Sequence, residues 1–232
     1  MSRARILALA GLCAVLAPAA WADEVMPDGC THHLTVQMRG CLMARHYTCD
    51  ATGGDRWAVL HNQDGAFLVS RIDADAHWVS TQELETGIQT QVLPDPGAPT
   101  SISNLMDTGY DAFVFDERIE DLVIRYEGFD RLTGEEVEID GEPLMVTNFR
   151  YRVIHPETGR ILSMTEGQEF VSRRHNRFFS GVRTFTNSDG DETTDHTPME
   201  FIYPGERGFE ARTAIHGCGA MMSSLLRAED HA

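Results

Sequence analysis

The stretch MVTNFRYRVIH, residues 145–155, restricts the fold more than any other part of the chain. Met145, Thr147, Phe149, Tyr151 and Val153 fall on one side of an extended backbone. Val146, Asn148, Arg150, Arg152 and Ile154 fall on the other. A period of two with one largely apolar side is the signature of a half-buried β-strand. PETGR follows, with Pro156 and Gly159 placed for a hairpin loop. The next run, ILSMTEGQEFVSRRHNRFF, reads as one long extended segment with a bulge or bend at Gly167. Earlier, AFLVSRIDADAHWV places Ala66, Leu68, Ile72, Ala74, Ala76 and Trp78 together, and DLVIRYEGFD does the same for Leu122, Ile124 and Tyr126. Turn dipeptides recur at Thr133-Gly134, Asp140-Gly141, Thr158-Gly159 and Asp189-Gly190.

One segment departs from this pattern. After LPDPGAP, Thr100 or Ser101 can cap a helix whose apolar residues Ile102, Leu105 and Met106 recur at helical spacing, with Gly109 to stop it. MMSSLLRAE near the C-terminus predicts a second short helix. The expected fold is mainly β, in the α+β sense: an antiparallel curved sheet with one or two short helices. Its apolar side needs a cover. Either the sheet closes into a sandwich or barrel, or it curls around the inserted helix as a half-barrel and leaves an open apolar cleft. The second layout is similar to that of half-barrel envelope proteins of the lipoprotein-carrier type, which hold acyl chains on a concave sheet. The likeness is one of layout, with no shared motif and no residue carried over.

The first residues address the compartment. Arg3 and Arg5 precede an apolar run from Ile6 to Leu16, and Ala20 and Ala22 occupy the positions read by signal peptidase. Residues 1–22 are read as a secretory signal peptide and residues 23–232 as a single β-rich domain. The run is too short to cross about 30 Å of hydrocarbon. No later segment is long and apolar enough to predict a transmembrane helix in the mature chain. The expected location is periplasmic or secreted.

Export changes the meaning of CTHHLTVQMRGCLMARHYTC, residues 30–49. Cys30, Cys41, Cys49 and Cys218 form an even set in an oxidising compartment, which predicts two disulfides. Three pairings are open, and each ties Cys218 to the N-terminal trio. The alternative is a copper or zinc site built from His32, His33, Met38, Met43 and His46, whose donors are soft enough for either metal. No cofactor is otherwise called for.

Charge and composition exclude several functions. The formal net charge is −17, and loss of the two signal arginines deepens it. Such a surface is a poor partner for nucleic acid. All 19 basic residues are arginine. Without lysine there is no Schiff-base chemistry, no P-loop and no serine–lysine dyad. G-x-S-x-G, H-E-x-x-H and a dinucleotide fingerprint are absent. NSDGDETTD, residues 187–195, has alternating oxygen donors but lacks the glycine and glutamate of a calcium loop, so a hairpin turn is expected.

SRRHNRFFSG, residues 172–181, is a basic island in an acidic chain. Arg173, Arg174, His175 and Arg177 can clamp an anion, with Phe178 and Phe179 as an apolar floor. The bland reading is ion pairing with acidic strands such as residues 135–140. The sequence therefore favours a non-enzymatic envelope protein that binds a lipid or small amphiphile. A metal-binding protein and a hydrolase assembled around His155, His175 or His196 are the alternatives. The oligomeric state is not legible.

Overall fold

The computed structural model describes Met26, residues 29–94 and residues 99–219. The expected signal segment and the second predicted helix lie outside these residues. The described chain forms thirteen strands and one α-helix. The first six strands are β1 (Cys30–Met38), β2 (Leu42–Cys49), β3 (Asp55–His61), β4 (Ala66–Ile72), β5 (Trp78–Glu83) and β6 (Gln89–Val92). Helix α1 (Ile102–Thr108) separates them from β7 (Tyr110–Ile119), β8 (Leu122–Ile139), β9 (Glu142–Ile154), β10 (Ile161–Ser172), β11 (Arg177–Asn187), β12 (Gly190–Asp195) and β13 (Pro198–Ile202).

All thirteen strands belong to one antiparallel sheet. Its order follows the chain from β12 back to β1, and β13 then pairs with β1. The sheet is curved and open, with α1 packed inside, as the half-barrel option requires. Ser101 caps the helix by accepting from the Asn104 amide, and Gly109 ends it in the left-handed conformation. Ile102 and Leu105 are fully buried against Ala76, Met145 and Val171.

Local chemistry sets the turns. Asp140 and Gly141 both take positive φ, as a two-residue hairpin with the twist of its strands demands. Thr133-Gly134 does not turn the chain. It is an irregularity inside β8, where the pairing with β9 slips between Leu132 and Glu136. The extended reading of residues 161–179 is also corrected, because a turn at residues 173–176 splits it into β10 and β11. Residues 66–79 divide likewise, so that Ile72 faces Trp78 across two strands. Gly167 sits at an irregularity, pairing with Arg183 while Glu169 pairs with Ser180. A Cβ on Gly167 would stand 2.2 Å from the Val182 carbonyl oxygen, so only glycine allows this close approach.

Two bonds staple the fold. Cys30–Cys49 ties the open end of the β1–β2 hairpin, where the two residues are direct partners. Cys41–Cys218 spans 177 residues and holds an irregular strap, residues 203–219, on the outer side of β1–β3. β1 is therefore buried on both sides. Leu34, Val36 and Met38 enter the core with Phe179 and Phe201. Thr35 donates to the Phe209 carbonyl at 2.6 Å, and Gln37 bonds Thr213 and Ile215. These side chains satisfy strap backbone that has no ladder of its own.

Candidate functional site

The concave side of the sheet encloses a cavity of about 280 Å³. Its wall is mainly apolar, formed by Ala44, Ala58, Leu60, Leu68, Ile72 and the aromatic rings of β7, β9 and β11. Trp78, 40 % exposed, stands where the wall meets solvent and packs edge-on against Phe115, Tyr126 and Tyr151. The apolar side of residues 145–154 is the side that faces inward, since Phe149 and Tyr151 line this space.

Besides the hydroxyls of Ser70, Thr100 and Ser180 and the exposed Arg183, two buried polar groups interrupt the apolar wall. The first is Arg177 on β11, 5 % exposed, with His46 on β2. The guanidinium donates from Nη1 to His46 Nδ1. Among the described residues no carboxylate pairs with Arg177. Burial and the charge of Arg56 push it down to about 9, so it remains a cation at neutral pH. A guanidinium can only donate, which forces His46 Nδ1 to accept and places the imidazole proton on Nε2. That Nε2 is buried and has no partner. Burial, then the charge of Arg177, hold His46 well below the usual histidine range, so the ring is neutral. His33 lies within electrostatic reach, lowered by the same two effects, and its buried Nδ1 also lacks a partner.

The second group is Asp130 on β8 with Glu169 on β10, which hydrogen-bond to each other. Burial pushes Asp130 up to about 7, and Asp111 adds to the rise. Burial and the neighbouring Asp130 push Glu169 well above the carboxylate range. The pair therefore retains a proton where exposed acids have lost theirs. The folded state binds that proton more tightly than the unfolded chain. The pair's stability is complete below the ordinary carboxylate pKa near 4 and is lost as pH rises through about 7. Glu169→Gln copies the protonated shape without the charge. It should gain about 1–2 kcal/mol over wild type at pH 8 and nothing at pH 4, measured by denaturant unfolding.

The other members of the basic island occupy a different place. Arg173 is exposed on the turn. Arg174 covers the Tyr203 ring at 4.5 Å and pairs with Glu142 at 3.3 Å, one turn beyond the acidic run at residues 135–140. His175 contacts the Tyr203 hydroxyl at 3.2 Å and approaches Glu142 at 3.6 Å. Phe178 packs with the helix cluster, Phe179 with the β1 cluster, and both line the cavity. The island is thus divided: Arg177, Phe178 and Phe179 at the cavity, and Arg174 and His175 in a network around Glu142.

That network also bears on the hydrolase alternative, because it brings Ser172, His175 and Glu142 together. The Ser172 hydroxyl donates to Glu142 at 2.8 Å and accepts from the His175 backbone amide at 3.1 Å. It is wholly buried and directed at the acid rather than the imidazole, so nucleophile and base are not paired. His155 lies at the β9–β10 turn, and His196 between β12 and β13.

Of the five residues of the metal alternative, His33 and His46 lie within electrostatic reach of Arg177, and the others go to different places. His32 stacks on Phe209 under the strap, Met43 packs beside Cys41 and Ala214, Met38 joins the β1 cluster, and His46 bonds Arg177. Among the described residues no group of three or more His, Cys, Asp or Glu is arranged to hold a metal.

His46, Asp130, Glu169 and Trp78 also line the cavity, and none of them belongs to the basic island. No family model, no curated protein and no solved structure matches the chain.

Proposed function

We propose that this chain is an exported binding or carrier protein that holds an apolar or anionic amphiphilic ligand on the concave side of its sheet. One observation carries the reading: an apolar cavity that contains a buried arginine with no carboxylate partner among the described residues. An unpaired buried charge costs several kcal/mol, and folds rarely retain one that nothing neutralises. Ligand pockets are mostly apolar spaces with a few polar groups that fix orientation, and this cavity has that composition. Two disulfides are compatible with an oxidising compartment. No helix among the described residues is long and apolar enough to cross a membrane.

Protein purified from its natural host without detergent should carry an additional small mass in native mass spectrometry. N-phenyl-1-naphthylamine, an apolar fluorophore, should bind and brighten. Ala58→Phe puts a ring into the cavity and should weaken that binding by about tenfold or more, with the β-sheet circular dichroism unchanged. Equal binding by folded Ala58→Phe would place the fluorophore elsewhere and refute the cavity as the site.

A further inference from the structure

We infer that the ligand is a single-chain carboxylic acid, taken up head first, its carboxylate held by Arg177 and the Nε2–H of His46. This rests on the cavity being the binding site. The chemistry of the buried end selects the head group. Beside Arg177 and His46 the groups on offer are donors: the guanidinium edge not used by His46, and the imidazole N–H that Arg177 itself sets in place. Donors without acceptors recognise an oxyanion, and a guanidinium fork matches a carboxylate in particular. Charge agrees with a single negative head. Arg177 is the buried cation of the wall, with no carboxylate partner among the described residues; the wall's other arginine, Arg183, is exposed and acts on Glu169, and the acids on β10 and β8 hold a proton between them rather than a full double charge.

Size selects the tail. A cavity of about 280 Å³ is at the lower edge of ligand sites, which span roughly 300–1,000 Å³. It admits one alkyl chain and excludes lipids with two or three. Orientation follows from burial. Arg177 is 5 % exposed and Trp78 is 40 % exposed, so the charged head goes inward and the chain ends toward the aromatic opening. An arginine at a cleft mouth would impose the reverse.

The test compares sodium dodecanoate with 1-dodecanol, both below their aggregation limits, by titration calorimetry on the full mature protein. Wild type should bind dodecanoate at least about tenfold more tightly than dodecanol. Arg177→Met should remove that preference while leaving dodecanol affinity within about twofold, and its ligand-free melting temperature should rise, because a buried unpaired charge has gone. Nitrogen NMR of the unaltered protein gives a measurement that needs no variant: the His46 Nε2–H resonance should shift on adding dodecanoate and stay still with dodecanol. Equal affinity for acid and alcohol, or an unmoved His46 signal with dodecanoate bound, would overturn the head-group assignment and leave the cavity reading intact. No binding of either compound by wild type would overturn both.

Discussion

Replacing Cys41 and Cys218 together by serine should lower the unfolding free energy by about 3–5 kcal/mol. The magnitude comes from the loop that the bond closes. With 177 residues between the sulfurs, the chain-entropy estimate is about 5 kcal/mol, and measured values fall somewhat below such estimates. For a domain of this size that is a fall of about 10 °C in melting temperature. The loss should also be local before it is global. The strap holds to β1–β3 through Thr35, Gln37 and the Arg45–Glu210 pair, and few of its backbone groups belong to a ladder. Hydrogen exchange in the double-serine variant should therefore rise first at residues 209–216. Replacing Cys30 and Cys49, only 19 residues apart, should cost less, since those residues are already ladder partners. A Cys41/Cys218 variant that melts within about 2 °C of wild type would refute the assignment of the strap as a structural tie.

The second large effect should come from Glu142→Ala, at about 3–5 kcal/mol. Glu142 is 1 % exposed and accepts from the Ser172 hydroxyl at 2.8 Å, the Tyr203 hydroxyl at 2.9 Å and Arg174 at 3.3 Å. These partners come from the end of β10, the turn after it and the residue following β13. The carboxylate thus joins one arm of the curved sheet to the other. Its removal leaves the wholly buried Ser172 hydroxyl without an acceptor. Arg174→Ala, by contrast, should cost less than about 1 kcal/mol, because that side chain is 62 % exposed and screened. Burial alone would raise the Glu142 carboxyl, but the hydroxyls of Ser172 and Tyr203, then His175 and Arg174, outweigh it and hold the group below its usual range. Its stabilisation is therefore present above the ordinary carboxylate pKa and is lost as pH falls through the lowered value. The gap between wild type and Glu142→Ala should narrow on acidification, as read from urea midpoints between pH 7 and pH 3.

Much of the fold was legible because half-buried strands write their two faces into the sequence. Residues 145–154 appear as β9 with the assigned side turned inward, and the caps of α1 are the residues that the sequence offered. Turn dipeptides misled once, at Gly134, since a glycine with positive φ serves an in-strand irregularity as readily as a hairpin. The cavity's polar groups were not legible for a different reason. Alternation tells which residues share a face but not what stands opposite. Glu169 faces the cavity because it pairs with Thr147 on the inward side of β9. Glu166, three residues earlier, pairs outward with Arg150 at 2.6 Å. Alternation puts these two glutamates on opposite faces, but nothing in the local sequence says which of the two faces the cavity. Arg177 and His46 are 131 positions apart, and only the curvature of the sheet brings them together. The basic island includes Arg177, but the local sequence does not tell which of its arginines faces the cavity, because the turn at residues 173–176 rotates its members apart.

The sheet order has a consequence for how the chain matures. Eleven of the twelve neighbour contacts join strands adjacent in sequence, so most of the meander can zip as it is delivered. The seam between β1 and β13 is the exception. Until the last strand arrives, β1 presents an open edge to any other extended chain, and the Cys41 thiol waits beside two sulfurs close by in sequence. Correct oxidation depends on Cys30 and Cys49 meeting first in their hairpin. A thiol–disulfide isomerase should therefore speed recovery from reduced, unfolded protein far more than it speeds recovery with both bonds already in place.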